Sequence, residues 1–253
     1  VTTLSRSHRF PAHSSIGRLA AAIREGDADA ALEALGAAAE GDGIAWHPAP
    51  EARLAVDLAM AGYAPLFDAV AAGADPAACF AALERFRVLC ATRVGPLGAD
   101  AINRGVIARL RAQGRVPLHA RHFVGQPLLV TRNDYGLRVF NGDVGVVVPD
   151  GAGGVSVAFP LEAGGHRLVP PGRLPAYESV YAMTIHKSQG SELDAALVLL
   201  GEARESLATR ELLYTGVTRV RHAVAVMGAP AALAEAIRRR AVRDSGLEGR
   251  LAA

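Results

Sequence analysis

Between Tyr181 and Asp194 the chain reads Y-A-M-T-I-H-K-S-Q-G-S-E-L-D. A base, a cation, hydroxyls, an amide and a carboxylate stand there around one glycine. His186, Lys187, Ser188, Gln189 and Glu192 flank Gly190 in a polar loop. An apolar-leaning segment from Val180 to Ile185 precedes it, and the run A-A-L-V-L-L to Leu200 follows. The order is strand, loop, short helical turn, strand. In open parallel sheets ligands sit beyond the carboxyl ends of strands, where free N–H groups and a glycine admit a phosphate. The spacing therefore predicts that these five side chains crowd one ligand edge. The same residues also suit a solvated loop in which Ser191 caps a turn, and spacing alone supports both.

A second chemically apt position lies downstream. Leu207 to Val220 has a helical pattern with Leu212, Leu213 and Val217 inward, and Arg219 stands at its end. A helix C-terminal arginine answers the helix dipole.

The elements that must position these groups are legible in part. Phe86 to Thr92, F-R-V-L-C-A-T, is an apolar run bounded by charge and by Gly95 and Pro96, hence a buried parallel strand. It leads through R-V-G-P-L-G into a helix carrying Ala101, Ile102, Val106, Ile107 and Leu110 at helical spacing. Ser14 or Ser15 caps a predicted helix through Glu25, and helical patterns follow at Asp27 to Ala39 and Pro50 to Ala72. Between them G-D-G-I-A-W-H-P reads as turn, with Trp46 and His47 as packing or loop residues. From Pro117 to Arg173 the texture changes to short strands and frequent turns. Asn141-Gly142 is a hairpin signal there, and the close strand spacing predicts a small barrel. Phe140 and Phe159 read as its core. Val224 to Met227 is a last strand, and Ala231 to Val242 a last helix.

Composition narrows the class. The 253 residues are 51% hydrophobic, which excludes a disordered chain, and no apolar run reaches the roughly 18 residues of a membrane span. Cys79 and Cys90 lack metal or redox spacing and read as reduced, buried residues of a cytoplasmic protein. The formal charge is only +2. Its distribution says more: Arg85 to Arg138 holds ten arginines against Asp100 and Asp134, an electrostatic footprint that phosphates can use. A solvated surface in an arginine-biased chain has the same composition. Lys187 is the one lysine in the sequence.

T-I-H-K-S-Q-G-S-E-L resembles motif V of superfamily 1 helicases, and Leu212 to Arg221, L-L-Y-T-G-V-T-R-V-R, resembles motif VI. Further stretches resemble the RecD family, the alpha subunits of exodeoxyribonuclease V. These are L-S-R-S-H-R-F near the start, L-C-A-T-R-V-G-P-L-G before the second-strand helix, N-D-Y-G-L-R-V-F-N-G-D-V-G, and the tail D-S-G-L-E-G-R-L-A-A. His8 stands where the family usually has tyrosine. The resemblance implies an α/β fold, a RecA-like parallel-sheet motor domain called 2A, with an inserted small SH3-like β-barrel called 2B. The implied division is 1–116 and 174–253 for 2A and 117–173 for 2B.

By the same resemblance, Arg9, Gln189, Gly190, Glu192 and Arg219 face ATP bound with Mg2+ mainly on an upstream domain, Arg219 acting as an arginine finger. Thr92, Arg93, Asn103, Arg132, Asn133, Thr184, His186 and Lys187 become candidate contacts to single-stranded DNA, with Tyr135 beside them. The implied activity is that of an ATP-dependent 5′-3′ DNA helicase working with RecB-like and RecC-like subunits in double-strand break repair, with no membrane association. No metal site is expected within this stretch. A free-standing RecD-like helicase and a non-catalytic DNA-binding module are the alternatives.

No G-x-x-x-x-G-K-[ST] loop and no Asp-Glu pair occurs in the sequence. Those two features cradle the phosphates and hold magnesium in such motors. The stretch taken alone is therefore expected neither to hydrolyse ATP nor to unwind DNA.

Overall fold

The computed structural model describes residues 10, 14–201 and 208–241. Arg9 and His8, with the expected opening strand, lie outside the described residues, as do the tail and the first residue of the expected motif VI helix.

Among the described residues, five strands form a parallel sheet in the order β1-β10-β9-β2-β8. They are β1 (Ile44–His47), β2 (Phe86–Cys90), β8 (Ala182–Thr184), β9 (Leu193–Leu199) and β10 (Val220–Met227). Because side chains alternate across a strand, a sheet buried on both faces needs apolar residues at every position. The sequence supplies them over most of the central strands, and the buried Arg87 on β2 is satisfied by donating to the Val180 carbonyl at 3.0 Å. Leu89, Ala196, Val198, Val224 and Val226 face one layer, made of α1 (Ser15–Glu25), α2 (Ala28–Gly36), α7 (Arg210–Val217) and α8 (Pro230–Arg238). Val88, Cys90, Leu197, Leu199 and Met227 face the other, made of α3 (Ala52–Gly62), α4 (Ala64–Ala71), α5 (Pro76–Arg85) and α6 (Ala99–Ala112).

Local chemistry sets the helix ends. Ser14 Oγ accepts from the Gly17 N–H at 3.0 Å to cap α1, and Asp27 and Asp75 cap α2 and α5 in the same way. The expected single pattern from Pro50 to Ala72 is two helices bent by 51° at Tyr63. Pro65 opens the second helix and has no N–H for a continuing one. Tyr63 is buried at the bend, donates its hydroxyl to the Tyr181 carbonyl and packs edge-on against Phe86 and Tyr181.

Several elements differ from the sequence expectation, among them the helix expected to reach Val220, which ends at Val217 before β10 begins at Val220. The G-D-G-I-A-W-H-P turn contains β1, which pairs parallel with β10 from Ile44↔Val224 to His47↔Met227. Trp46 packs there, its Nε1 donating to the Gly228 carbonyl at 3.0 Å. Helix α5 lies where the sequence pattern predicts no element.

A second, antiparallel sheet has the order β6-β5-β4-β3-β7. Its strands are β3 (Pro127–Val130), β4 (Val144–Pro149), β5 (Val155–Pro160), β6 (His166–Val169) and β7 (Tyr177–Ser179). One face surrounds a separate core of Leu128, Val130, Val147, Val157 and Phe159, while Val146, Val148 and Ala158 pack on the helical layer. The sheet thus runs on to Ser179, past the change of texture at Arg173. Cys79 and Cys90 are free and buried, and burial pushes both thiols above their ordinary pKa. Among the described residues, no single helix is long and apolar enough to cross a membrane.

Candidate functional site

The stretch after β8 crosses the sheet from one end to the other. Thr184 is level with Cys90 and Leu199 at the carboxyl ends of the strands, whereas Leu193 begins β9 beside Val220 at the amino ends. Six residue steps of strand separate Leu193 from Leu199, roughly 20 Å. The expected single ligand edge is therefore two edges. Thr184, His186 and Lys187 begin at the carboxyl edge, and Gln189, Gly190 and Glu192 lead to the amino edge. Ser188 joins neither: it is buried, and its hydroxyl donates to the Ile185 carbonyl at 2.7 Å to close a short 3-10 turn, Ile185–Ser188.

At the carboxyl edge the loop after β2 is shaped by its glycines. Gly95 sits at φ +93°, where a side chain is strained. A Cβ on Gly98 would lie 2.3 Å from the Val94 carbonyl oxygen, so only glycine lets the turn close before α6. Thr92 Oγ1 donates to the Val94 carbonyl at 2.9 Å, and the Asp100 N–H donates to the Arg93 carbonyl at 3.0 Å. Thr92, Val94, Pro96, Leu97, Pro50 and Gly201 line an open cleft of about 440 Å³ here. Arg93 is exposed and pairs with Asp100 at 3.3 Å.

Lys187 turns toward the second sheet and pairs with Glu178 on β7. Arg93 Nη2 lies 4.0 Å from the same carboxylate. Sequence inspection missed Glu178, because no local period links it to a lysine nine residues on.

Asn103 corrects the expectation of a phosphate contact. Its Nδ2 donates to the Ala182 carbonyl at 2.8 Å and to the Ala99 carbonyl at 2.9 Å, and its Oδ1 accepts from the Ala182 N–H at 3.0 Å. Both amide hydrogens are committed, and among the described residues β8 is an edge strand, whose outer groups need partners. Asn103 supplies them, so it holds the strand rather than a phosphate.

At the amino edge Gly190 has φ +91° with open space where a Cβ would stand. Arg219 follows α7 directly, half-buried, with Nη1 3.4 Å from the Ser191 carbonyl oxygen, and its own carbonyl accepts from the Leu193 N–H at 3.0 Å. Glu192 pairs with Arg221 at 2.9 Å, so it presents itself together with that cation. Gln189 is exposed beside Gly190.

The start of α7 is anchored by Arg210. Its Nε donates to the Ile237 carbonyl at 2.8 Å, and a Cβ on Gly26 would lie 1.9 Å from its guanidinium. Arg210 thereby ties α7 to the C-terminal ends of α1 and α8, where a cation is favoured.

The hairpin between β3 and β4 forms a third patch. Arg132 and Asn133 are exposed, and Asn133 Oδ1 accepts from the Asn141 N–H at 2.8 Å. Asp134 and Asp143 accept from the Leu137 and Phe140 N–H groups. Phe159 is core as expected, 2% exposed, but Phe140 is 42% exposed and stacks edge-on with Tyr135, 77% exposed. The tight turn at Asn141-Gly142 carries Phe140 out of the core.

Residues 179–227, which contain the crossing segment and Arg219, match the UvrD-like helicase C-terminal domain. This stretch is therefore similar to the C-terminal domain of a helicase. Over 99% of its length the chain is 46% identical to RecBCD enzyme subunit RecD of Mycolicibacterium smegmatis. It is 45% identical to the same subunit of Mycobacterium tuberculosis, again over 99% of its length. The chain thus matches the C-terminal region of a RecD subunit. It spans less than half of those relatives, 44% and 43%. The ATP-dependent RecD2 DNA helicase of Deinococcus radiodurans is 32% identical over 66% of this chain and 23% of that protein. Among solved structures, Pif1 helicase from Bacteroides in complex with ADP-AlF3 and single-stranded DNA superposes with a TM-score of 0.48 at 14% identity, covering 98% of this chain and 56% of that one.

Proposed function

We propose that this chain is the C-terminal motor portion of an ATP-dependent 5′-3′ DNA helicase, the RecD-type subunit of a RecBCD-type exodeoxyribonuclease V acting in double-strand break repair and recombination. The observation that carries the reading is the division of one crossing segment between two edges. Thr184 to Lys187 lie at one edge with Thr92 and Arg93, and Gln189 to Glu192 lie at the other with Arg219. A motor needs such a segment, because strand grip and nucleotide state must be mechanically joined.

In this reading the sheet and helices form domain 2A, and residues 117–173, with β7 completing their sheet, form the SH3-like insertion 2B. Short antiparallel strands around a core of their own support that assignment. At the carboxyl edge Thr92, Arg93, Thr184, His186 and Lys187 hold single-stranded DNA by its backbone, without reading sequence. Arg132, Asn133 and Tyr135 extend the grip along the insertion.

At the amino edge the residues fit one side of a triphosphate. Gly190 leaves room for close approach, and Arg219 offers a positive charge just beyond the end of a short, anchored helix. ATP with Mg2+, held mainly by residues upstream of this stretch, would supply the free energy of γ-phosphate hydrolysis. Arg219 would stabilise negative charge on the transferred group. Gln189 and Glu192 with Arg221 complete the face that responds to nucleotide, and the resemblance assigns the same role to Arg9, which lies outside the described residues. RecB-like and RecC-like subunits are the proposed partners, and the cytoplasm the proposed location.

Identity of 45 to 46% across the chain to RecD subunits supports the complex over a free-standing helicase, for which the Deinococcus likeness is weaker and shorter. The test is DNA-stimulated ATP hydrolysis by the full-length protein beside the purified 253-residue chain. Turnover and 5′-3′ translocation by the first, and none by the second, are expected. Turnover by the short chain would contradict the expectation that it cannot hydrolyse ATP alone, and no effect of nucleotide on the full-length protein would replace the motor with a DNA-binding module.

A further inference from the structure

Two of the cations read as gripping DNA come from different elements, Arg93 from the loop after β2 and Lys187 from the turn after β8. They meet on one carboxylate. Glu178 Oε1 pairs with Lys187 Nζ, and Glu178 Oε2 lies 4.0 Å from Arg93 Nη2. A phosphodiester likewise carries one negative charge and offers two free oxygens. We propose that Glu178 is a positioning residue of the DNA grip, standing where a backbone phosphate goes and keeping Lys187 and Arg93 aimed until the strand displaces it.

Three observations support this. Glu178 is held in a fixed place, since β7 pairs with β3 at Leu129↔Glu178 and Leu128↔Ser179, and Gln126 Nε2 donates to Ser179 Oγ at 2.8 Å. The three side chains are partly exposed, 30% for Glu178, 37% for Lys187 and 66% for Arg93, so a ligand can reach them. Exposed pairs of this kind are worth under about 1 kcal/mol each, so a phosphate can exchange with the carboxylate at small cost.

The arrangement also joins the two sheets at the grip. Lys187 belongs to the 3-10 turn between β8 and β9, whereas Glu178 belongs to the antiparallel sheet. Displacement of Glu178 by a strand would therefore release a tie between the insertion and the segment that leads to Gly190. Without a strand, the carboxylate prevents mutual repulsion of Arg93 and Lys187 and reduces the attraction for anions at that point.

This inference rests on the reading of the carboxyl edge as a DNA site, and its test separates the two. The affinity of the full-length protein, with its partner subunits, for a fluorescent oligothymidylate would be measured at fixed salt for Glu178→Gln, Lys187→Met and the double variant. Glu178→Gln is expected to bind several-fold more tightly than the parent, and to lose that gain when Lys187 is also replaced. A purely structural Glu178 would give weaker or unchanged binding instead. Lys187→Met that weakens binding, together with Glu178→Gln that does not tighten it, would overturn the placeholder and leave the DNA site standing. Lys187→Met without effect would overturn both. Glu178→Ala serves as a second variant, and an unchanged melting temperature confirms that each protein is folded.

Discussion

Asn103 pairs with Ala182 through both backbone groups, donating to its carbonyl at 2.8 Å and accepting from its N–H at 3.0 Å. A side chain on α6 thereby pairs with Ala182 as a neighbouring strand would, and steadies β8, the strand that delivers Thr184 and the crossing segment.

Replacing Asn103 with alanine strands a donor and an acceptor at a buried residue, and Ala182 is 1% exposed. The loss should be about 2 to 3 kcal/mol of stability, read by denaturant unfolding, with faster hydrogen exchange at Ala182. The salt dependence of DNA binding should not change, because Asn103 neutralises no phosphate. A flatter salt slope in Asn103→Ala would restore it as a DNA contact.

Gly98→Ala places a methyl group against the Val94 carbonyl, 2.3 Å from its oxygen. That oxygen is backbone and cannot swing aside, so the turn from Arg93 to Gly98 must open. We expect a destabilisation of about 2 kcal/mol and weaker binding of single-stranded DNA through the displaced Thr92 and Arg93. Parent-like stability would mean that the loop accommodates a side chain.

The exposed hairpin separates two kinds of contact. Arg132→Ala should reduce the steepness of log affinity against log salt by about 0.7, the share of one phosphate on a single strand. Tyr135→Ala should weaken binding by about 1 to 3 kcal/mol, as a lost stacking face does, and leave the slope unchanged. Equal slopes and equal affinities for both variants would remove the hairpin from the DNA path.

His122 ties the linker before β3 to Tyr177, its Nε2 3.1 Å from the phenol oxygen. Burial, with Arg121 nearby, lowers its pKa. A folded-state value below the ordinary one of about 6.5 means that the unfolded chain takes up a proton first. The contribution is fully present above that pH and is lost as pH falls toward the folded-state value. His122→Gln should flatten the fall of stability between pH 7 and pH 5; an unaltered pH profile would show that His122 does not titrate in this range.

Much of the parallel sheet is legible because buried strands announce themselves as apolar runs, as F-R-V-L-C does for β2. The edge strand β1 does not. It is four residues long, follows two glycines, and becomes a strand only because β10 supplies hydrogen bonds from far along the chain. The site divides in the same way. Thr184, His186 and Arg219 are visible as residue types in a pattern, and their neighbours in space are not. Glu178 and Arg210 act through contacts 9 and 27 residues away. Asn103 has the right chemistry for a phosphate contact, but sequence cannot tell that Ala182 already occupies it. Phe140 shows the limit of an apolar residue in a strand-rich region, since one turn places it outside the core.

In the proposed function the amino edge answers ATP held by residues upstream of this stretch. The decisive variant is Arg219→Ala in the full-length protein, assayed for DNA-stimulated ATP turnover beside oligothymidylate affinity. We predict that turnover falls by about 10³-fold or more, while DNA affinity without nucleotide and the melting temperature stay near the parent values. Turnover within a few-fold of the parent in a folded, DNA-binding Arg219→Ala protein would contradict the assignment of this edge to nucleotide.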